Sequence, residues 1–329
     1  MKTVLLEAGL HPDGLAILKE AGFEAVGPLS TDGPERRAVF ARAHAIIISS
    51  LWQIDDAVLA QSSTLRVAGR PGIGIDNIDL DAATHQRVCV VHTPDAPTQS
   101  TAEHAMALMV ALAKGIVRSH NGFRARGWDA GRDFLGVELK GKTLGLVGLG
   151  RIGGTFARIA RDGFGMRVLV FDPYIHATRA LELGCEQHER LPEMLAECDF
   201  VSLHCALTPQ TRGLIGKAEL TAMKPSAFLI NCSRGPVVDE PALIEALRAN
   251  MIAGAGLDVF SPEPPVPDNP LLKLENVIVT PHIASHTADG VRAMSVGVAE
   301  EVRAVLNNQR PRWLANPEVW ENRRLKAEG

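Results

Sequence analysis

The chain has 329 residues, too many for one ordinary core, so two domains are expected. Hydrophobic residues make up 46% of it and charged residues 22%, a globular balance that excludes a disordered chain. The net charge of −4 gives no footing for nucleic acid or an anionic membrane surface, and no apolar stretch reaches membrane-spanning length.

The N-terminal run Met1 to Glu7 is too short and too charged for a signal peptide and reads as a first strand. Further short apolar runs, Val4–Leu6, Ala45–Ile48, Arg66–Ala68 and Val88–Val91, predict buried strands. Between them His11–Ala21, Asp55–Gln61 and Asp79–Gln86 have helix patterns. This alternation predicts an α/β lobe with a parallel sheet over residues 1–98. Gln99 to Val117 is rich in Ala, Leu and Met and predicts a buried helix, packed between lobes or against a second subunit. Asn121 to Lys140 lacks a period and reads as a loop.

Beyond residue 142, strands are predicted at Thr143–Val147, Val168–Phe171, Phe200–Leu203, Ala227–Asn231, Gly254–Leu257 and Val277–Val279. Helices are predicted at Gly153–Arg161, Leu191–Glu197 and Glu240–Ala249. Five prolines between Pro262 and Pro270 stiffen one loop, and His286 to Leu306 reads as a tail helix that can return to the first lobe. The cysteines Cys89, Cys185, Cys198, Cys205 and Cys232 form no C-x-x-C pair, so reduced thiols in the cytoplasm are expected rather than a metal or disulfide framework.

The most specific segment is Thr143-Leu-Gly-Leu-Val-Gly-Leu-Gly-Arg-Ile-Gly153. Gly148, Gly150 and Gly153 have the G-x-G-x-x-G spacing between a predicted strand and a predicted helix. Such glycines let a pyrophosphate approach main-chain N–H groups at a helix N-terminus. Asp172 ends the next strand about twenty residues on, where a carboxylate accepts hydrogen bonds from an adenosine ribose. The order strand, glycines, helix, strand, acid predicts a dinucleotide site, with NAD favoured because a carboxylate repels the 2′-phosphate of NADP.

Three later segments put polar residues just beyond predicted strands, where open α/β sheets bind ligands. They are Asn231-Cys-Ser-Arg-Gly235, Leu257-Asp-Val-Phe-Ser-Pro-Glu-Pro264 and Thr280-Pro-His-Ile-Ala-Ser285. Arg234, Glu263 and His282 together suit reduction of a 2-keto acid. A protonated His donates to the developing oxyanion, a carboxylate favours the imidazolium, and a guanidinium grips a carboxylate. Singly each has a plainer reading: His282 as a strand-end histidine, Arg234 as a turn cap, Glu263 as a solvated acid.

With Gly69-Arg-Pro-Gly-Ile-Gly-Ile-Asp-Asn-Ile-Asp79 and Thr101-Ala-Glu-His-Ala105, these segments make the chain resemble the D-isomer-specific 2-hydroxyacid dehydrogenase family along nearly its whole length. That family includes phosphoglycerate, glyoxylate/hydroxypyruvate and D-lactate dehydrogenases. The resemblance implies an α/β fold of two doubly wound lobes. One is a flavodoxin-like substrate domain, residues 1–98 completed by 287–329, and the other a Rossmann NAD-binding domain, residues 99–286.

It also implies Arg234 as the substrate-binding arginine, His282 as the acid/base, Glu263 as its partner and Asp258 facing the nicotinamide amide. Further cofactor contacts are implied at Arg151, Ile152, Asp172, Cys205, Cys232, His282 and Ser285. The loop Gly72, Ile73 and Gly74, beside Arg70, is implied to receive the substrate carboxylate on its N–H groups. Pro71 stands where the family commonly has Ala, which leaves the substrate fit open. The implied substrate is a small 2-hydroxy or 2-keto acid, glyoxylate or hydroxypyruvate first and phosphoglycerate next, and the implied assembly is a homodimer.

Asp76, Asn77 and Asp79 read as helix caps, His104 as a packing residue, and His204 and Cys205 as a strand end where only backbone matters. His286 is left open between lining the site and capping the tail helix. No metal is expected. A rival reading is an NAD(H)-sensing co-repressor of the same fold. Formate dehydrogenases resemble the fold too, but have Gln where Glu263 stands.

Overall fold

The structure is a computed structural model in which residues 1–30, 32–132 and 134–324 are described. It divides into two compact units, Met1–Pro97 with the chain from His286 onward, and Thr98–Ser285. In the first unit β1 (Lys2–Leu6), β2 (Phe23–Val26), β3 (Ala45–Ile47), β4 (Val67–Arg70) and β5 (Cys89–His92) form one parallel sheet in the order β2-β1-β3-β4-β5. That is the flavodoxin-like order of a doubly wound sheet. Val4, Leu5, Ala45, Ile46, Val67 and Ala68 are fully buried, because helices cover both faces.

The tail helix Ala288–Leu306 belongs to this unit and packs Val298, Ala299, Val302 and Leu306 against Val4, Ile47, Val67 and Val91. Two glycines permit the approach: a Cβ on Gly14 would lie 2.6 Å from the Ser295 carbonyl oxygen, and one on Gly69 would lie 2.8 Å from Val298. Thr287 caps this helix, accepting the Gly290 N–H at 2.9 Å. At its other end the buried Arg66 guanidinium donates to the carbonyls of Leu306 and Val305 and to Asn308, while its Nε donates to the carbonyl of Arg324. A cation there opposes the negative end of the helix dipole.

The second unit holds β6 (Thr143–Val147), β7 (Arg167–Phe171), β8 (Glu186–Gln187), β9 (Phe200–Leu203), β10 (Phe228–Asn231), β11 (Gly254–Leu257) and β12 (Val277–Val279). They form a parallel sheet in the order β12-β11-β10-β9-β6-β7-β8, a Rossmann arrangement extended by one strand. Register Leu144↔Phe200 and Val147↔Leu203 aligns β6 with β9, so the turns after both strands leave the same edge. Phe156, fully buried, anchors the helix after the glycines, a burial worth roughly 1.5–3 kcal/mol.

Several elements differ from the sequence reading. β2 is half-exposed, and β8 is only two exposed residues, so neither has an apolar run to announce it. The helix Pro34–Arg42 buries only Val39 and Phe40 and carries no clear apolar period. The expected loop after residue 121 contains the end of a helix, Ile116–Arg126, and a short turn, Trp128–Gly131. The long apolar helix is shorter than expected, Thr98–Ala113, and Gly115 at φ +59° ends it. Its buried residues Ala102, Ala105, Met106 and Met109 join the core of its own unit, so its composition is explained without a second subunit. Among the described residues no helix is long and apolar enough to cross a membrane.

Candidate active site

The glycine turn joins β6 to the helix Arg151–Arg158, and its glycines have three separate reasons. Gly148 has φ +98°, and a Cβ there would sit 2.9 Å from the Cys205 main-chain N. A Cβ on Gly153 would lie 2.2 Å from the Gly148 carbonyl oxygen, so only glycine lets the helix pack on the turn. Gly150 is exposed, and a Cβ there would meet nothing within 4 Å. Packing within the chain thus does not require glycine here, and the G-x-G-x-x-G position is one where a bare backbone lets a pyrophosphate approach. No side chain caps this helix, so the first turn presents the N–H groups of Ile152 and Gly153 to an anion.

Asp172 leaves the end of β7 and turns towards the glycines: Oδ2 accepts the Leu149 N–H at 2.9 Å and Oδ1 the Tyr174 N–H at 3.0 Å. A tight turn, a bare position facing solvent, an uncapped helix start and an acid at the next strand end fit a dinucleotide. His204 closes the floor, its ring 5.0 Å from that of Phe156 and its Nε2 2.9 Å from Ser202 Oγ. Burial pushes its pKa down to about 3.

The three segments carrying Arg234, Glu263 and His282 follow adjacent strands. Asn231↔Leu257 pairs β10 with β11, and Leu257↔Val279 pairs β11 with β12, so all three leave one edge. Asn231 shapes the first turn, its Nδ2 donating to the Arg234 carbonyl at 2.9 Å and its Oδ1 accepting from Ser233. Gly235 is needed because a Cβ there would overlap the Phe260 carbonyl oxygen at 1.8 Å, which ties the Arg234 turn to the loop carrying Glu263. Glu240 steadies that loop by accepting from Ser261 N at 3.0 Å and Asn269 Nδ2 at 2.7 Å.

His282 Nδ1 hydrogen-bonds Glu263 Oε1, and both side chains keep partial exposure. His282 has φ +54°, a left-handed backbone that a non-glycine residue holds only when its surroundings impose it. Asp258 imposes it. Its carbonyl accepts the His282 N–H at 2.8 Å, its Oδ1 the Ile283 N–H at 2.9 Å, and its Oδ2 the Ala284 N–H at 2.8 Å. The Asp258 side chain, expected beside the nicotinamide amide, is 0% exposed, and its carboxylate lies on the loop backbone and on Thr280.

The reading of His104 is corrected as well. It is no packing residue: Nε2 lies 3.0 Å from Thr280 Oγ1 and 3.6 Å from Asp258 Oδ1. No local pattern signals this, because the partners are far apart along the chain.

In the first unit, the loop after β4 is held from the end of β5. Thr93 Oγ1 accepts the Gly72 N–H at 2.7 Å, Thr93 N donates back to the Gly72 carbonyl at 2.9 Å, and His92 Nδ1 lies 3.1 Å from the Ile73 carbonyl. Gly72 is thus corrected as a carboxylate donor, since its N–H is taken. Among the described residues nothing accepts the N–H of Ile73 or Gly74. Arg70 turns its guanidinium back on the Pro71 carbonyl. Asp79 caps its helix through Ala82 N at 2.9 Å, but Asn77 instead donates to the carbonyls of Ser49 and Trp52.

Of the remaining expected contacts, Arg151 is exposed, Ile152 and Ser285 are half-buried, and Cys232 is buried. Burial pushes the Cys205 thiol up to about 11 and raises Cys232 well above its ordinary value, so both are neutral thiols. His286 is exposed and belongs to the first unit.

Residues 106–284 match the family model for "D-isomer specific 2-hydroxyacid dehydrogenase, NAD binding domain". The chain is 40% identical over 309 residues to the D-3-phosphoglycerate dehydrogenase of Methanocaldococcus jannaschii, covering 94% of this chain and 58% of the relative. It thus spans little more than half the length of the curated relatives it matches. The crystal structure of the TT0316 protein from Thermus thermophilus superposes with a TM-score of 0.87 at 36% identity, covering 95% of this chain and 99% of that one. An NADPH-dependent glyoxylate/hydroxypyruvate reductase from Sinorhizobium meliloti, solved with NADP and malonate, gives 0.83 at 29% identity, covering 96% and 98%. With the glycine turn and the strand-end motifs, these matches assign the chain to the D-isomer specific 2-hydroxyacid dehydrogenase family, with a nicotinamide dinucleotide as its cofactor.

Proposed function

We propose that the protein is an NAD-dependent dehydrogenase acting on a small D-2-hydroxy acid and its 2-keto partner. The observation that carries the reading is the His282–Glu263 contact on the loop that Asp258 holds. The bound nicotinamide supplies the hydride chemistry, and the chain supplies orientation and the proton. A carboxylate only accepts, so Nδ1 of His282 keeps its proton towards Glu263 and Nε2 is left for the substrate. In reduction the imidazolium donates from Nε2 to the keto oxygen. In oxidation neutral Nε2 takes the hydroxyl proton.

Arg234 binds the substrate carboxylate or polarises the carbonyl. The N–H groups of Ile73 and Gly74 receive the carboxylate, with Arg70 near them in sequence. Asp172 accepts from the adenosine ribose and disfavours a 2′-phosphate. Arg151, Ile152, Cys205, Cys232 and Ser285 complete the cofactor surface. Glyoxylate and hydroxypyruvate are the first substrates in this reading. The relatives named D-3-phosphoglycerate dehydrogenase make the phosphorylated acid the competing one. A homodimer in the cytoplasm goes with the reading, checked by sedimentation velocity and cell fractionation.

The test is steady-state turnover of glyoxylate, hydroxypyruvate and phosphohydroxypyruvate with NADH and NADPH. His282→Ala is expected to lose about 100-fold or more in kcat with NADH affinity kept. Asp172→Ala is expected to narrow the preference for NADH over NADPH. No turnover of any of the acids, or full turnover by His282→Ala, would overturn the proposal.

A further inference from the structure

We infer that His104 is a positioning residue for His282, acting through Thr280 and Asp258. The inference rests on the reading of His282 as the acid/base. Asp258 is a carboxylate with no exposure, and it holds both N–H groups that follow His282. Such a group keeps its place only if every lone pair aimed at the protein finds a donor. Thr280 supplies one, its hydroxyl lying 2.6 Å from Asp258 Oδ1. A carboxylate accepts only, so the single proton of Thr280 goes to Asp258. Thr280 Oγ1 is then an acceptor towards His104, and His104 Nε2, 3.0 Å away, must carry the proton between them. This fixes the tautomer and ring orientation of His104.

The same nitrogen stands 3.6 Å from Asp258 Oδ1, beyond hydrogen-bond distance but close enough for its N–H dipole to favour the carboxylate. His104 cannot drift from this place. It rides on Thr98–Ala113, whose neighbouring Ala102, Ala105 and Met106 are buried in the core. The order is therefore core helix, His104, Thr280, Asp258, main chain of Ile283 and Ala284, and the left-handed His282 that meets Glu263. Removing the first polar member takes the donor from Thr280 Oγ1 and the neighbouring N–H from Asp258, so the pair holds the loop less tightly and the imidazole of His282 loses its aim without losing any direct contact.

The experiment compares His104→Leu, His104→Gln and Thr280→Val in the full chain, with His104→Leu/Thr280→Val as the double variant. Gln places an amide N–H near the position of Nε2. His104→Leu is expected to lower kcat about tenfold with KM for NADH within about twofold, and His104→Gln to recover most of the loss. The double variant is expected to be little worse than either single one, because both break the same link. Unchanged kcat in His104→Leu, no recovery in His104→Gln, or fully additive losses would overturn the inference.

Should His104→Leu fail to fold, Thr280→Val against Thr280→Ser bears the same test, since Ser keeps the hydroxyl. Should the wild-type protein turn over no 2-keto acid, the proposed function falls. The positioning role is then read from the imidazole nitrogen resonances of His282, which His104→Leu is expected to shift. Resonances left in place would overturn it.

Discussion

The main-chain N–H of His282 donates to the carbonyl of Asp258 at 2.8 Å, while the carboxylate of the same aspartate holds the two N–H groups that follow. One residue thus fixes three consecutive amides. A backbone pinned this way keeps a left-handed histidine that costs about 1–2 kcal/mol elsewhere.

Asp258→Asn tests that claim. The amide offers one acceptor in place of two, so one loop N–H is left facing a donor. Stability is expected to fall by about 1–3 kcal/mol in urea unfolding, and kcat by more than KM for NADH. Wild-type kcat in a folded Asp258→Asn protein would count against the arrangement.

The three glycines of the turn are expected to separate binding from stability. Gly150→Ala puts a methyl where the protein has nothing, so Tm is expected to hold while NADH affinity drops about tenfold or more. Gly153→Ala meets the Gly148 carbonyl and is expected to cost about 1–3 kcal/mol of stability as well. Calorimetry beside fluorescence titration with NADH reads both. Equal effects of the two variants on Tm would contradict the assignment.

His204 predicts an acid-side loss of stability. Its folded pKa is depressed to about 3, below the ordinary value of 6.5, so the folded state refuses a proton that the unfolded chain accepts. Stability from this residue is therefore intact above pH 6.5 and declines as pH falls from there towards 3. The residue keeps some exposure, so the drop from pH 7 to 5 is expected at about 1–2 kcal/mol. Urea unfolding of the wild type and of His204→Gln at both pH values gives the difference, and identical pH slopes would refute the assignment.

Arg66 is expected to matter for the first unit. Its guanidinium is buried among the last carbonyls of the tail helix, and burial, then the charge of Arg323, lowers its pKa. Arg66→Leu leaves those carbonyls without donors and is expected to cost about 2–4 kcal/mol, seen as a lower denaturant midpoint. A midpoint within experimental scatter of wild type would show that water replaces it.

Much of this was legible because the candidate site is built from local segments. The glycine turn, the strand-end Arg234 and the Glu263 and His282 loops each occupy a few consecutive residues, and residue type with spacing identifies them. β8 was illegible because two exposed residues pair with β7 without an apolar pattern. The helix Ile116–Arg126 was hidden by its polar composition. His104 and Thr280 stand 176 positions apart, and Thr93 meets Gly72 only after two strands align. Such pairings arise from tertiary folding and leave no periodic trace. The positive φ of His282 is equally silent, because nothing about its residue type asks for it.

The first unit draws its tail helix from the far end of the chain. On the ribosome its five strands emerge early, yet one face of that sheet, covered in part by the helix Pro12–Glu20, lacks the rest of its cover until the whole of Thr98–Ser285 has been synthesised. A nascent chain in that interval displays Val4, Ile47, Val67 and Val91 to solvent, an apolar surface of the kind chaperones hold. The second unit, continuous in sequence, can complete itself first. An arrest-peptide force profile is expected to record it folding before residue 288 leaves the exit tunnel, with the first unit following only once Leu306 is out.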